Sequence, residues 1–332
     1  MLSRLVHEHP KVLGLSEFFA GLDPSGFTGG EPDGAAFWEL LSAPRLKPNT
    51  LLRKGVRVPE FEYPVGSGRY AAGDVPAISL MTLPPLTDDP DGLLDRIRDE
   101  VVRWPAAPLA RQYVLLFDWL AAQFGRDVVI ERSGASLRYL PELLTYFPAA
   151  RFVFMYRDGP DCAMSMSRHP LPRLALLIQE IRGELGVDPF QVRDPAHAPR
   201  LPERLRPFTP DTLDATALAR VDIPLDRFGA LWSYATVRAL EYLAGLPAGR
   251  LLHMSYDLLV ADPVTELIRF GRFAAVPDAE EWARRVAGRV DAGRVGAADA
   301  LTPEQAGELR RACAPGTRGI AEFLSQPLPA GN

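Results

Sequence analysis

The sequence predicts an α/β fold with a parallel sheet. The clearest evidence lies between residues 126 and 168, where "RDVVIERSG" has the pattern of a short buried strand, "SLRYLPELLTYF" that of a helix and "ARFVFMYRD" that of a second strand. A further helix, "GPDCAMSMS", follows directly after Arg157. Strand, helix, strand and helix in this order are typical of parallel strands joined by crossover helices.

Hydrophobic periodicity predicts the remaining elements. Leu2, Leu5 and Val6 share one face of a helix that Pro10 ends. Further helices are predicted at "AAFWELL", at 91–104, 108–125 and 226–246 and at "PVTELIRFGRFA", and a strand at "RLLHMSYDLL". We expect a single domain over 1–325. Segments near 35–90 and 170–225 are rich in proline. Outside the helix at "AAFWELL" and a helix near 174–185, we expect them to form surface loops that shape a substrate pocket.

Composition narrows the class of protein. The chain has 332 residues, 47% of them hydrophobic, and a formal net charge of −5, which gives no footprint for nucleic acid or an anionic membrane. Its two cysteines form neither a CxxC pair nor a Cys/His cluster, so no disulfide framework or metal site is expected. No apolar stretch reaches the ~20 residues that span a bilayer, and the start lacks a signal-peptide pattern. We therefore expect a cytoplasmic protein.

An anion site is predicted where the second strand of the 126–168 unit meets its helix. Arg157 ends that strand, at the sheet edge where open α/β folds bind ligands. Pro160 suits the first helical position, and the free N–H groups of a helix start attract phosphate. Ser165 lies on the flank of the same helix and could face the same ligand. The alternative is that Arg157 only pairs with Asp158 or Asp161.

The residues around this site resemble a known family. "RDGPDCAMS" resembles the 3′-phosphate-binding motif of sulfotransferases that use 3′-phosphoadenosine 5′-phosphosulfate (PAPS), in which a strand-final Arg precedes a helical Ser by the spacing of Arg157 and Ser165. The longer segment "ERSGASLRYLPELLTYFPAARFVFMYRDG" is similar to tyrosylprotein sulfotransferases and related bacterial sulfotransferases. "LLHMSYDLLVADPVTELIRFGRFAAV" resembles their C-terminal segment, and "MLSRLVHEHPKVLGLSEFF" the stretch that follows their phosphosulfate loop. The resemblance implies a P-loop-like parallel sheet flanked by helices.

The resemblance also implies roles for individual residues. PAPS would be the donor, and the acceptor a hydroxyl of a small molecule or peptide. Glu17 matches the general base of the family. Arg132 matches a lysine that neutralises charge on the transferring group, although a planar guanidinium can donate two hydrogen bonds to one ligand, whereas a lysine ammonium acts as a point charge. Arg157 and Ser165 would hold the 3′-phosphate.

Three neighbours of these residues are further candidates for contacts to the donor. Ser133 lies beside Arg132, and Arg168 and His169 follow the Ser165 helix. Each has a plain structural alternative: Ser133 can be a turn serine, and Arg168 and His169 can be cations that interact with the helix dipole. Glu17, likewise, can be an exposed loop carboxylate.

This sequence departs from the family pattern at its start. Family members place a strand and a "GxxRSGST"-type loop, which holds the 5′-phosphosulfate, directly before the helix that opens this sequence. Removing such a central strand exposes apolar neighbours, so we expect the polypeptide to begin further upstream. Two other readings stay open: a nucleotide-binding pseudoenzyme that is inactive for lack of this loop, and a protein-interaction domain without a ligand.

Overall fold

Residues 2–134, 136–291, 293 and 295–326 are described by the computed structural model of the chain. Within these residues the fold is mostly helical, with short parallel strands, which confirms the α/β class. The strands are β1 (Val12–Ser16), β2 (Val128–Arg132), β3 (Phe152–Tyr156) and β4 (Leu251–Ser255).

Helices precede and follow each strand. Those up to the loop before β3 are α1 (Leu2–His7), α2 (Phe18–Leu22), α3 (Gly34–Ser42), α4 (Leu46–Arg53), α5 (Ala77–Met81), α6 (Pro90–Val101), α7 (Leu109–Gln123) and α8 (Leu140–Tyr146). Those after β3 are α9 (Gly159–Arg168), α10 (Pro170–Leu185), α11 (His197–Arg200), α12 (Ala215–Arg220), α13 (Leu225–Leu243), α14 (Tyr256–Ala261), α15 (Pro263–Phe273), α16 (Ala279–Val286) and α17 (Pro303–Ser325).

The strands form two separate parallel pairs. β1 pairs with β2, with Val12 opposite Val128, and β3 pairs with β4, with Phe152 opposite Leu251. The prediction that the strands at 128–132 and 152–156 share one sheet is therefore wrong, although both strands and the helix between them are present. A crossover connection favours parallel strands but does not require that consecutive strands be neighbours.

Two further strands also differ from the sequence prediction. Strand β1 was not predicted, because "VLGLS" is short and is interrupted by Gly14. The His7 ring explains this glycine, since a Cβ at position 14 would lie 3.1 Å from the ring. The predicted strand at "RLLHMSYDLL" ends early: Ser255 accepts a hydrogen bond from the Leu258 N–H (3.3 Å) and caps α14, which the prediction had counted as strand.

A shared core joins the two strand pairs. On one face, Val128 and Val153 pack against the same cluster of buried residues, to which α1, α15 and α16 contribute Leu5, Leu267 and Trp282. On the other side of the strands, Phe152 packs against the α7 cluster and also against the cluster built by α13 and α17. The predicted pocket-shaping segments contain mostly short helices, such as α4, α5, α11 and α12.

No helix in the described part of the chain combines the length and the apolar character that crossing a membrane would need.

Candidate functional site

The first candidate site lies where β1 and β2 end. The Glu17 N–H donates to the Arg132 carbonyl (2.8 Å), which extends the ladder of the two strands by one bond. Glu17 then takes a left-handed backbone conformation (φ 53°), so the chain turns sharply into α2. This turn brings the Glu17 carboxylate back to β2, where it accepts hydrogen bonds from the Arg132 guanidinium and from the Gly134 N–H (2.9 Å). The structure thus brings together two residues predicted from the sequence.

Glu17 and Arg132 differ in their exposure to solvent. Glu17 is 6% exposed, which makes it a buried carboxyl rather than an exposed loop residue, whereas the Arg132 side chain is 52% exposed. Burial raises the pKa of Glu17 above the usual carboxyl value, and the Arg132 charge and the Gly134 N–H offset part of this rise. A carboxylate with a raised pKa is a stronger base, while the exposed guanidinium can meet a ligand.

Glu60 and His169 lie close to the same carboxylate. His169 Nδ1 accepts a hydrogen bond from the Leu171 N–H (3.2 Å), so Nε2 carries the ring proton and donates it to Glu60 Oε2 (3.1 Å). Both residues interact electrostatically with Glu17. Glu60 was missed in the sequence because the irregular segment between α4 and α5 has no periodicity that marks a functional residue.

A partly buried carboxyl was also missed on β2. Glu131 accepts hydrogen bonds from the Ser133 hydroxyl and from the Phe19 N–H (3.5 Å). Burial raises the pKa of Glu131 to about 7, although the Ser133 hydrogen bond opposes the rise. Ser133 is itself buried, and its oxygen accepts from the Ala20 N–H (3.4 Å). The described partners of Ser133 are thus protein groups, and its predicted contact with a donor stays a prediction.

The second candidate site lies at the start of α9. Arg157 Nη2 donates to Asp161 (2.7 Å), and the guanidinium lies over the Tyr256 ring, 4.8 Å from the ring centre. Asp161 also accepts from the Gly296 and Ala298 N–H groups (2.8 and 3.0 Å). The ion pair that the sequence offered as an alternative is therefore present. It does not exclude an anion, because a guanidinium carries several N–H donors.

The remaining predicted residues of this site lie further along α9. Ser165 and Arg168 are both exposed, in the second half of the helix. A hollow of about 260 Å³ adjoins the first turn of α9 instead, and its charged lining is four aspartates and one arginine: Asp158, Asp161, Asp257, Asp299 and Arg310. Such a lining does not suit a phosphate, so any 3′-phosphate contact by Arg157 and Ser165 would have to lie outside this hollow.

Neither a metal site nor a similar protein indicates the function. Across the residues that have described positions, no group of three or more His, Cys, Asp or Glu side chains could hold a metal ion. Comparison of the chain with known protein families, with curated proteins and with solved structures finds no match. The assignment of a function therefore depends on the geometry of the two sites and on the sequence motifs.

Proposed function

We propose that the protein is a sulfotransferase that moves a sulfuryl group from PAPS to a hydroxyl of a small-molecule or peptide acceptor. The observation that carries the proposal is the contact between Glu17 and Arg132 at the carboxyl ends of β1 and β2. It places a buried base beside a solvent-accessible cation, and these are the two residues that the family resemblance assigns to catalysis. Ligands of parallel α/β folds bind at this end of the strands.

In the proposed reaction, Glu17 takes the proton of the acceptor hydroxyl as its oxygen attacks sulfur. The new oxygen–sulfur bond forms while the bond between sulfur and the 5′-phosphate oxygen breaks, which releases adenosine 3′,5′-bisphosphate. Arg132 stabilises the charge on the sulfuryl oxygens. Catalysis of this kind depends on positioning and charge stabilisation, by analogy with phosphoryl transfer.

Nucleotide binding is proposed for the second site. Arg157 and Ser165 would hold the 3′-phosphate in a P-loop-like fold, with Arg168 as a further contact. Ser133, which belongs to the first site, would contact the transferring group beside Arg132. In this arrangement the Arg157 guanidinium donates hydrogen bonds to both Asp161 and the phosphate, and Asp161 orients the guanidinium.

A second candidate function is binding of the nucleotide without transfer. This function would need only the residues of the second site, where Arg157 follows β3 and Ser165 is exposed on α9. A protein of this kind would bind adenosine 3′,5′-bisphosphate through Arg157 and would release none from PAPS.

Two measurements separate the candidates. Calorimetry with adenosine 3′,5′-bisphosphate should show binding that Arg157→Ala weakens, and incubation with PAPS and a panel of phenols should release the bisphosphate. Glu17→Gln should lower turnover by about 10²-fold or more with nucleotide affinity near normal, because only the proton acceptor is lost. Glu39→Gln, on the exposed side of α3, is the matched control.

Each result decides between the candidates. Binding without transfer favours the non-catalytic protein, and absence of binding in the wild type would leave only an interaction domain. Full turnover in Glu17→Gln would remove Glu17 from the mechanism.

A further inference from the structure

Ser16 and His7 form a contact that the proposed transfer does not use. Ser16 is the last residue of β1, and His7 lies in the last turn of α1, the helix that packs against this strand. Ser16 Oγ lies 3.2 Å from His7 Nε2 and 2.9 Å from Ser3 Oγ. A serine hydroxyl within hydrogen-bond distance of an imidazole is the arrangement that activates a serine as a nucleophile.

The strand beneath the His7 ring fixes the position of the ring. A Cβ at Gly14 would lie 3.1 Å from the ring carbon Cε1 and 3.2 Å from both ring nitrogens, so the imidazole rests against this glycine. A side chain at position 14 would push the ring away from β1. Gly14 therefore allows α1 to bring His7 Nε2 to the hydroxyl of Ser16.

The His7 ring has the protonation state that a base requires. Burial lowers the pKa of His7 below its ordinary value of 6.5, and the charge of Arg126 lowers it further. The ring is therefore neutral at neutral pH, and one of its nitrogens carries a lone pair. With the ring proton on Nδ1, Nε2 accepts the proton of the Ser16 hydroxyl.

Arg132 lies on the same face of the strand pair as Ser16. Val12 and Val128 are opposite each other in the parallel ladder, and both pack against the cluster that contains Leu5 of α1. Side chains alternate between the two faces of a strand, and Ser16 and Arg132 are opposite each other four residues further on, so both emerge on the face that α1 covers. The Arg132 side chain is 52% exposed and can stabilise negative charge that develops beside Ser16.

We propose that Ser16 is a nucleophile with His7 as its general base, and that this pair cleaves small carboxylic esters. Ser16 Oγ attacks the carbonyl carbon of the ester while His7 Nε2 takes the hydroxyl proton, and Arg132 stabilises the oxyanion that forms. The bond between the carbonyl carbon and the alcohol oxygen then breaks, and His7 gives its proton to the leaving alcohol. Water hydrolyses the acyl-serine, which releases the acid and restores the Ser16 hydroxyl.

The exposure of Ser16 sets the size of the ester. Because Ser16 is only partly exposed at the end of β1, a small acyl group such as acetyl reaches its oxygen most easily. This activity goes beyond the proposed function, since it uses Ser16 and His7 in place of Glu17 and needs no PAPS.

Covalent labelling of the full chain tests the nucleophile directly. A fluorophosphonate probe forms a bond between its phosphorus and a serine oxygen and releases fluoride, and mass spectrometry identifies the labelled residue. Ser16 should be labelled about 10²-fold faster than Ser67, because Ser67 is more exposed but its described partner is the Pro64 carbonyl (3.3 Å), which is not a base. p-Nitrophenyl acetate should acetylate the same residue.

Variants separate loss of the base from loss of the fold. His7→Ala should slow the labelling of Ser16 by about 10²-fold, and imidazole added to the solution should restore part of the rate. Ser3→Ala removes the other hydroxyl in contact with Ser16 and should be labelled like the wild type. Both variants should keep the circular dichroism spectrum of the wild type.

Two outcomes would overturn the proposal: labelling of Ser16 in the wild type no faster than that of Ser67, or labelling of a folded His7→Ala variant at the wild-type rate. PAPS is absent from these assays, so labelling of Ser16 that depends on His7 would stand even if the protein transferred no sulfuryl group.

Discussion

Glu131 shows how burial changes the chemistry of one residue. It lies on β2 next to Arg132, yet its carboxyl contacts the Ser133 hydroxyl and the start of α2. Its pKa of about 7 in the folded chain stands against an ordinary value of 4.5. Between these values the folded protein binds more protons than the unfolded chain, so the contribution to stability is present at low pH and is lost as the pH rises.

We expect Glu131→Gln to remove this dependence on pH. As the pH rises from about 4 to about 8, the ionisation of Glu131 should lower the free energy of unfolding of the wild type by about 3 kcal/mol. The variant should lack this decrease. Urea denaturation at the two pH values measures the difference. Glu308→Gln, exposed on α17, is the control, and an equal decrease in wild type and Glu131→Gln would contradict this account of Glu131.

At the scale of elements, α9 owes its close packing to a missing side chain. A Cβ on Gly159 would lie 2.5 Å from the Trp232 ring on α13 and 2.9 Å from Cys313 on α17. The glycine of "RDGPD" is therefore explained by the packing of three helices, whether or not a phosphate binds nearby. The Asp158 carboxylate caps the same helix by accepting from the Asp161 N–H (2.9 Å).

Gly159→Ala should lower the free energy of unfolding by about 1–3 kcal/mol, because the added methyl group forces Trp232 or α17 to move. Gly183→Ala is the matched control: Gly183 is exposed on α10, no atom outside its own helix lies within 4 Å of the new Cβ, and the substitution should stabilise the protein by about 0.5–1 kcal/mol. Denaturant melts of both variants measure the effects. Equal stability of the two variants would show that Trp232 and α17 can make room for the methyl group at position 159 without lowering the free energy of unfolding.

Helix α17 continues through a pair of residues that usually ends a helix. Pro315 lacks an N–H group and Gly316 weakens a helix, yet α17 runs on to Ser325. Ser233 on α13 explains this, because its hydroxyl donates to the Ala312 carbonyl (2.9 Å) and its oxygen accepts from the Gly316 N–H (3.2 Å). A neighbouring helix thus supplies the hydrogen bonds that α17 lacks.

At the scale of the molecule, the two strand pairs depend on side chains that they share. Phe152 on β3 packs against both the α7 cluster and the α13–α17 cluster, and Val128 and Val153 meet a third cluster from different strand pairs. These contacts couple β1–β2 to β3–β4 although no backbone pairing between β2 and β3 is described. We therefore expect the chain to unfold as one cooperative unit.

Phe152→Ala should lower the free energy of unfolding by about 2–3 kcal/mol and keep a single transition, since one side chain supports both clusters. Leu258→Ala, at a residue that is 55% exposed, should change it by less than about 0.5 kcal/mol. Circular dichroism and tryptophan fluorescence followed together in urea test this. Two separate transitions, with Phe152→Ala shifting only one, would contradict the shared core.

The sequence by itself determined the α/β class, strands β2 and β3, the helices that flank them, and the candidate residues Glu17, Arg132 and Arg157. These follow from local periodicity and from short motifs, which depend on neighbours along the chain. Only the tertiary structure decided that β2 and β3 belong to different pairs, that Glu17 is buried against Arg132, and that Glu60 forms a hydrogen bond with His169. Those facts depend on contacts between residues far apart in sequence, which no local pattern encodes.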